Sequence, residues 1–403
     1  MKPFIKSHKL DEVCYDVRGP VVHKASLLEA QGEKILKLNI GNPAAFGFKA
    51  PQYILDEMIK NLRHADPYSE SKGILQARLA IVDWCAKKGI EGVALDDVYT
   101  GNGVSELIVM ALQALLDSGD EVLIPSPDYP LWTAAATLSG GRVVHYRCDE
   151  QSGWYPDLAD MAKKITPRTK GIVVINPNNP TGALYPAEIL EGIIKLAREH
   201  NLILFSDEIY DRLVFDGKRH VSIASLAPDL LCLTMGGLSK SHHAAGFRCG
   251  WMCVSGDKSA AQSYIEGLNM LASMRLCSNV PAQYAIAPAL ESEGSYPELL
   301  PGGRLYEQRE LITREINNIP GLSAVRPEAA LYIFPRMDTA RFNIVDDERF
   351  AIDLLMEKHI LIVHGRGFNY ETPDHFRIVY LPDTERLEWA AREMAEFLAG
   401  YRQ

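Results

Sequence analysis

From about residue 95 to 255 the chain alternates short apolar, largely β-branched runs with stretches whose apolar residues recur at helical spacing. That alternation is the signature of a parallel sheet flanked by helices. The clearest strand candidates are EVLI (121–124), RVVHY (142–146), GIVVIN (171–176), LILFSD (202–207), LLCLTM (230–235) and GWMCVS (250–255). Most are apolar almost throughout, as strands buried on both faces must be. Between them, GVSELIVMALQALLDSGD (103–120) predicts a helix closed by Ser118-Gly119, and a second helix follows Pro186. After about residue 300 the pattern breaks into separate pieces: a helix around 303–317, strands near 321–325 and 330–336, a helix near 347–358, strands at 360–364 and 375–380, and a last helix from Thr384. A chain of 403 residues exceeds the roughly 250–300 at which one core stops growing. The expected organisation is therefore a large α/β domain over 46–300 and a smaller α+β domain over 301–403, with residues 1–45 packed on the smaller one as an N-terminal arm.

The formal net charge of −10 leaves no basic face with which to displace counterions, so neither nucleic acid nor an anionic membrane surface is an expected partner. The 7 cysteines include no Cys-x-x-Cys pair, which suits reduced thiols in the cytoplasm better than a disulfide framework or a zinc site. The opening MKPFIKSHKLDE has no apolar export segment, and no apolar run approaches the ~18 residues of a membrane span. The 11 histidines show neither H-x-x-x-H nor H-E-x-x-H spacing, and no G-x-S-x-G elbow is present. Metal hydrolysis and Ser-His-Asp chemistry are both disfavoured, and small molecules are the expected partners.

In an open α/β sheet, ligands sit beyond the carboxyl ends of the strands, and several such ends carry polar residues. GIVVIN runs into NPNNPTG (176–182), where prolines stiffen the backbone and Asn179 can be aimed at a ligand; a plain Asn/Pro turn is the competing reading. LILFS ends in Asp207, followed by Glu208 and Tyr210. A buried acid is costly unless paired, so a cation is expected beside it, with a helix N-cap carboxylate as the alternative. GNGVSE (101–106) opens a helix near Gly103, whose free N–H groups suit a phosphate; it lacks the third glycine of a dinucleotide fingerprint and the Gly-Lys of a P-loop. GGLSKSHHAAGFRCGW (236–251) places Gly236 and Gly237 where a strand end turns, then Ser239 and Lys240, then Arg248. An amine, a buried acid, hydrogen-bonding Asn and Tyr, and a phosphate cradle with an arginine are what pyridoxal 5′-phosphate requires.

The chain resembles the fold-type I pyridoxal-phosphate-dependent aminotransferases. It is especially similar to the bacterial glutamate–pyruvate (alanine) aminotransferases, through LNIGNPAAFGF (38–48), YTGNGVSELI (99–108), PSPDYPLW (125–132), INPNNPTG (175–182), SDEIYDRL (206–213), GLSK (237–240), GFRCGW (246–251) and LYEQR (305–309). The resemblance implies a homodimer with active sites at the subunit interface, and it implies roles residue by residue. Lys240 holds the cofactor as a Schiff base and then serves as acid–base at the substrate α-carbon; Asp207 pairs with the ring nitrogen; Asn179 and Tyr210 bond the phenolic oxygen. Tyr129 stacks on the ring, while Gly103, Val104, Ser105, Ser239, Arg248 and the partner subunit's Tyr68 surround the phosphate. Arg377 grips the substrate α-carboxylate, with Tyr15, Gly41 and Asn179 as further substrate contacts. The implied activity is ping-pong transfer of the amino group between L-alanine/pyruvate and glutamate/2-oxoglutarate, through pyridoxamine phosphate.

Two enzymatic alternatives share this machinery: an aminotransferase of other or broader specificity, and a fold-type I β-lyase. A pyridoxal-binding transcriptional regulator would need a basic DNA-binding module that an acidic chain does not provide. Arg18 and Arg275 are candidates for a distal substrate carboxylate, although surface positions with no such role are the more ordinary expectation. His242 and His243 replace the aromatic and arginine residues that relatives often carry after the lysine; the ordinary expectation for two loop histidines is solvation.

Overall fold

The computed structural model describes residues 3–13, 19–292 and 296–403. Eight strands form the central sheet: β1 (Val98–Asn102), β2 (Glu121–Ser126), β3 (Arg142–Asp149), β4 (Tyr155–Pro156), β5 (Thr169–Ile175), β6 (Ile203–Asp207), β7 (Cys232–Gly237) and β8 (Cys249–Ser255), in the spatial order 1-8-7-6-5-2-3-4. Pairings across β3-β2-β5-β6-β7 are parallel, whereas β8 runs antiparallel to both β7 and β1. The mostly parallel sheet is as expected. Its direction has a consequence for the site: the carboxyl ends of β1, β5, β6 and β7 and the amino end of β8 all meet at one edge.

Successive strand residues point to opposite faces, and here both faces are covered. Leu123, Ile172, Val174, Leu204, Cys232 and Cys253 join one apolar cluster, while Val122, Ile124, Val173, Ile175, Phe205, Leu233 and Met235 join the other. This double burial is why the strands are apolar without alternation.

Helix α1 (Val104–Gln113) is shorter than expected. The amides of Leu115 and Leu116 turn back to the Leu112 carbonyl, and the Asp120 carboxylate takes the Asp117 amide at 3.0 Å, so Ser118-Gly119 belongs to a separate turn rather than to the helix end. Helices α2 (Leu131–Leu138), α3 (Ala187–Glu199) and α4 (Leu238–Ser241) also flank the sheet.

A further apolar cluster gathers Val21, Ala25 and Leu38 with residues from Leu299 to Leu398, through helices α5 (Arg304–Asn318), α6 (Asp347–Lys358) and α7 (Thr384–Gly400). Strand segments here are short, because much of the apolar sequence forms loops over the core. Leu36–Lys37 pairs in parallel with Ile360–Leu361, and Phe376–Val379 is flanked antiparallel by Tyr332–Ile333 and Val363–His364. Tyr210, Leu213 and Phe215, which follow β6, also enter this core. The chain thus places Arg377, on Phe376–Val379, opposite the carboxyl edge of the large sheet.

Candidate active site

A cavity of about 520 Å³ opens at that edge. Gly41, Val104, Ser105, Tyr129, Asn179, Asp207, Tyr210, Ser239, Lys240, Arg248 and Arg377 all line it, so residues spread over more than 330 positions converge as the sequence suggests.

Lys240 lies on α4, a single turn that begins as β7 leaves the sheet. Its Nζ donates to the Gly41 carbonyl at 2.5 Å, so the amine is held within the cavity instead of extending into solvent. Gly236 and Gly237 do not form the turn that their sequence suggests. Both remain in β7, opposite Trp251 and Gly250, and Gly237 is extended with φ 178°. Glycine is needed for space: a Cβ would fall 2.9 Å from the Trp251 ring at Gly236 and 2.8 Å from the Cys249 carbonyl oxygen at Gly237.

Asp207 ends β6 and is buried, 3% exposed. Its Oδ2 accepts from Trp132 Nε1 at 3.1 Å and its Oδ1 from the Ile209 amide at 3.3 Å. No helix follows, which removes the N-cap reading. Both donors are neutral, and burial pushes the carboxyl up to about 6. A buried acid on a cavity wall, bonded by neutral donors, is matched to a cationic ligand group.

At α1, Gly103 takes φ 78° and the next residues present the free N–H groups of a helix N-terminus. A Cβ at Gly103 would overlap the Arg248 guanidinium, so glycine is required on two counts. Arg248 precedes β8; its Nη1 donates to the Ala245 carbonyl at 3.0 Å and its Nη2 to the Asn102 carbonyl at 3.3 Å, which brings its charge alongside the helix N-terminus. A dianion is suited to this combination.

On the opposite wall, Arg377 is 3% exposed. Its Nη1 donates to Asn179 Oδ1 at 2.9 Å, its Nη2 donates to the Asn39 carbonyl, and the guanidinium lies between the rings of Tyr332 (4.5 Å) and Phe368 (4.6 Å). Burial pulls its pKa below the ordinary arginine value. Tyr210, also buried, shares a hydrogen bond of 2.7 Å with Tyr332.

A family model described as aminotransferase class I and II matches residues 33–393. The chain belongs to the class I and II aminotransferases. It is 57% identical over 404 aligned residues, covering 100% of both chains, to a protein of Escherichia coli (strain K12) named glutamate-pyruvate aminotransferase AlaA. It is 55% identical to the alanine aminotransferase of Mycobacterium bovis, covering 100% of this chain and 94% of that one. Among solved structures, an E. coli aminotransferase superposes with a TM-score of 0.98 at 57% identity over 100% of both chains. An alanine aminotransferase from Pyrococcus furiosus gives 0.91 at 38% identity, over 98% of this chain and 100% of that one.

Within this aminotransferase several expectations need correction or lie out of reach. Tyr15 and Arg18 fall outside the described residues. Tyr68, expected to serve the partner subunit's site, is 75% exposed and does not line this chain's own cavity. Arg275 is neither on the cavity wall nor solvated: it donates to the Thr100 carbonyl at 2.6 Å and the Ser71 carbonyl at 3.1 Å, and pairs with Glu106, which anchors α1. The histidines are not solvated either. His242 is 3% exposed, with Nδ1 2.8 Å from Ser241 Oγ and Nε2 3.2 Å from the Ala289 carbonyl, and burial lowers its pKa to about 4. His243, with φ 54°, packs on the Phe48 ring and lies 3.5 Å from Glu298. Both imidazoles therefore fix the loop after Lys240 to neighbouring segments.

Two residues of the site went unassigned from sequence. Trp132 stands in PSPDYPLW at helical spacing and looks like core; only its indole N–H reaching Asp207 distinguishes it. Tyr332 lies in the apolar run 330–336, where nothing marks one aromatic residue as facing a cavity.

Proposed function

We propose that this aminotransferase moves the amino group between L-alanine/pyruvate and glutamate/2-oxoglutarate, by ping-pong kinetics with pyridoxal 5′-phosphate as cofactor. The observation that carries the reading is the meeting, in one cavity, of an amine, a buried acid with neutral partners and a buried arginine. The relatives named glutamate-pyruvate and alanine aminotransferase supply the substrate pair.

When bound, pyridoxal 5′-phosphate supplies an aldehyde for amine exchange and an electron-accepting ring. The chain's groups then have distinct tasks. The Lys240 amine takes and returns the proton at the substrate α-carbon. Asp207, a buried acid whose hydrogen-bond donors are neutral, would stabilise positive charge at the ring nitrogen. Asn179 and Tyr210 would hydrogen-bond the phenolic oxygen, and the Tyr129 ring would stack on the cofactor. The amides of Val104 and Ser105, the Ser105 and Ser239 hydroxyls and Arg248 would hold the phosphate. Arg377, already fixed by Asn179 and Asn39, receives the α-carboxylate as a forked pair.

A homodimer fits the exposure of Tyr68, Leu75, Leu79, Met270 and Met274, with the partner's Tyr68 completing the phosphate site. The division into a large domain over 46–300 and a small one built from 1–45 and 301–403 follows the apolar clusters for most of the chain, with Tyr210, Leu213 and Phe215 packing into the small-domain cluster and Phe334, Val363 and Phe368 into a large-domain one. A cytoplasmic setting agrees with the unbridged cysteines among the described residues. No described helix is long and apolar enough to cross a membrane.

The reading is tested with a panel of amino donors against pyruvate and 2-oxoglutarate, comparing kcat/KM. L-Alanine is expected among the best donors to 2-oxoglutarate; if it is not, the substrate assignment fails even though the family stands.

A further inference from the structure

Asp128, the acid of PSPDYPLW, is 0% exposed yet lies outside the cavity lining. Burying a carboxylate is expensive unless its lone pairs are taken up, and an apolar pair of similar volume is often cheaper to bury. Its oxygens are well served. Oδ1 accepts from Asn369 Nδ2 at 2.8 Å, and Oδ2 accepts from the Thr133 hydroxyl at 2.5 Å. The basic group facing it is His145, whose Nε2 is 3.9 Å from Oδ2 and 2.9 Å from the same Thr133 hydroxyl.

The backbone repeats the connection. The Asp128 amide donates to the Phe368 carbonyl at 3.0 Å, and the Ser126 hydroxyl donates to the Asn369 carbonyl at 2.8 Å. Two segments some 240 positions apart are thus joined by paired side-chain and backbone bonds. Asn369 has φ 54°, a left-handed conformation that asparagine tolerates better than most residues, and this turn is what presents its amide to Asp128.

One segment reaches the cavity wall and the other lies behind its arginine. Asp128 immediately precedes Tyr129, on the cavity wall, and Asn369 immediately follows Phe368, whose ring lies 4.6 Å from the Arg377 guanidinium. The bonds therefore connect the wall that carries the aromatic ring with the support beneath the arginine, Phe368, which itself packs in an apolar cluster of the large sheet.

We infer that Asp128 and Asn369 form a clasp that sets the position of Arg377 relative to Tyr129, and so act as positioning residues for the substrate carboxylate. The inference rests on the reading that Arg377 receives that carboxylate. Loosening the clasp lets the Phe368 support shift while Lys240, Asp207 and the phosphate cradle, all on the sheet edge, stay in place. The cost therefore falls on carboxylate affinity and not on the proton transfer.

The test uses the cofactor-loaded enzyme and Asp128→Ala, Asn369→Ala, the exchange Asp128→Asn with Asn369→Asp, and Arg377→Lys as a control. Two quantities are read: KM and kcat for L-alanine, and equilibrium affinity for propionate, a carboxylate with no amino group to transfer. Each alanine variant is expected to weaken propionate binding and raise KM about tenfold, the scale of one well-placed hydrogen bond, with kcat within about threefold of wild type. The exchange, which swaps donor and acceptor, should recover most of that affinity. If Asp128→Ala does not fold, Asn369→Ala and the exchange still decide. The inference is overturned if the folded variants bind propionate like wild type while Arg377→Lys binds it weakly, or if kcat falls with KM unchanged. If Arg377→Lys itself leaves propionate affinity intact, it is the role of Arg377 that fails.

Discussion

Replacing Asp207 by asparagine should make the cofactor-free protein more stable at neutral pH while disabling it. The carboxyl is 3% exposed, its hydrogen-bond donors are the neutral Trp132 indole and Ile209 amide, and burial raises its pKa from 3.8 to about 6. An acid whose pKa is higher folded than unfolded binds its proton more tightly in the folded state. Stability is therefore lost as pH rises from about 4 to about 6 and stays lost above that. A shift of roughly two units corresponds to about 3 kcal/mol at 1.36 kcal/mol per unit. Asparagine is nearly isosteric and cannot ionise, so the stability difference between Asp207→Asn and wild type should move by about 3 kcal/mol in the variant's favour between pH 3.5 and pH 7.5. Urea unfolding of both cofactor-free proteins across that range measures it, with circular dichroism and fluorescence run together to check that the transitions coincide. A difference that does not change with pH, or that moves towards wild type as pH rises, would refute the account of this acid as a charge waiting for a cation. The same substitution should weaken cofactor binding and nearly abolish transfer, because a neutral amide cannot stabilise a charged ring nitrogen.

Other outcomes follow from single contacts. Tyr332→Phe removes a hydroxyl bonded to Tyr210 at 2.7 Å but keeps the ring beneath Arg377. It should lower kcat roughly tenfold, as loss of a buried hydrogen bond does, while propionate affinity is preserved; steady-state kinetics with equilibrium binding separates the two. Gly41→Ala would drive a methyl group into the Tyr332 hydroxyl beside the carbonyl that holds Lys240, and kcat/KM should fall roughly 10²-fold. His242 is held neutral, its pKa lowered from 6.5 to about 4, so its contribution is present above pH 6.5 and is lost as pH falls towards 4. His242→Gln should flatten that acid limb in urea unfolding.

Much of the site is legible because its residues are tied to features with strong local signatures. Asp207 ends an apolar run, Asn179 sits among prolines, Gly103 opens a helix, and Lys240 with Arg248 brackets a run of small residues. Their convergence was legible as well, since parallel strands deliver their carboxyl ends to one edge. What local pattern cannot supply is the choice among similar residues made by tertiary contact. Tyr332 is one of several aromatic residues in apolar strands, and its role depends on which side of Phe376–Val379 it packs. His242 and His243 are ordinary loop residues until Ala289, Glu298 and Phe48, distant in sequence, close over them. Gly236 and Gly237 illustrate the converse: glycine is a turn signal locally, yet here it answers to the bulk of Trp251 and the backbone of Cys249. Helix α1 ends early for a similar reason: the apolar spacing runs on to Leu116, but the Leu115 and Leu116 amides already turn back to the Leu112 carbonyl, and Asp120 caps a separate turn at Asp117.

The central claim, that Lys240 moves the proton in transfer from L-alanine to 2-oxoglutarate, is tested most directly by product stoichiometry. Wild type and Lys240→Ala are incubated with both substrates, and pyruvate and glutamate are quantified together. Wild type should form the two in equal amounts, with no ammonia released, and Lys240→Ala should form neither above background although it remains folded. No pyruvate or glutamate from wild type, or undiminished transfer by Lys240→Ala, would contradict it.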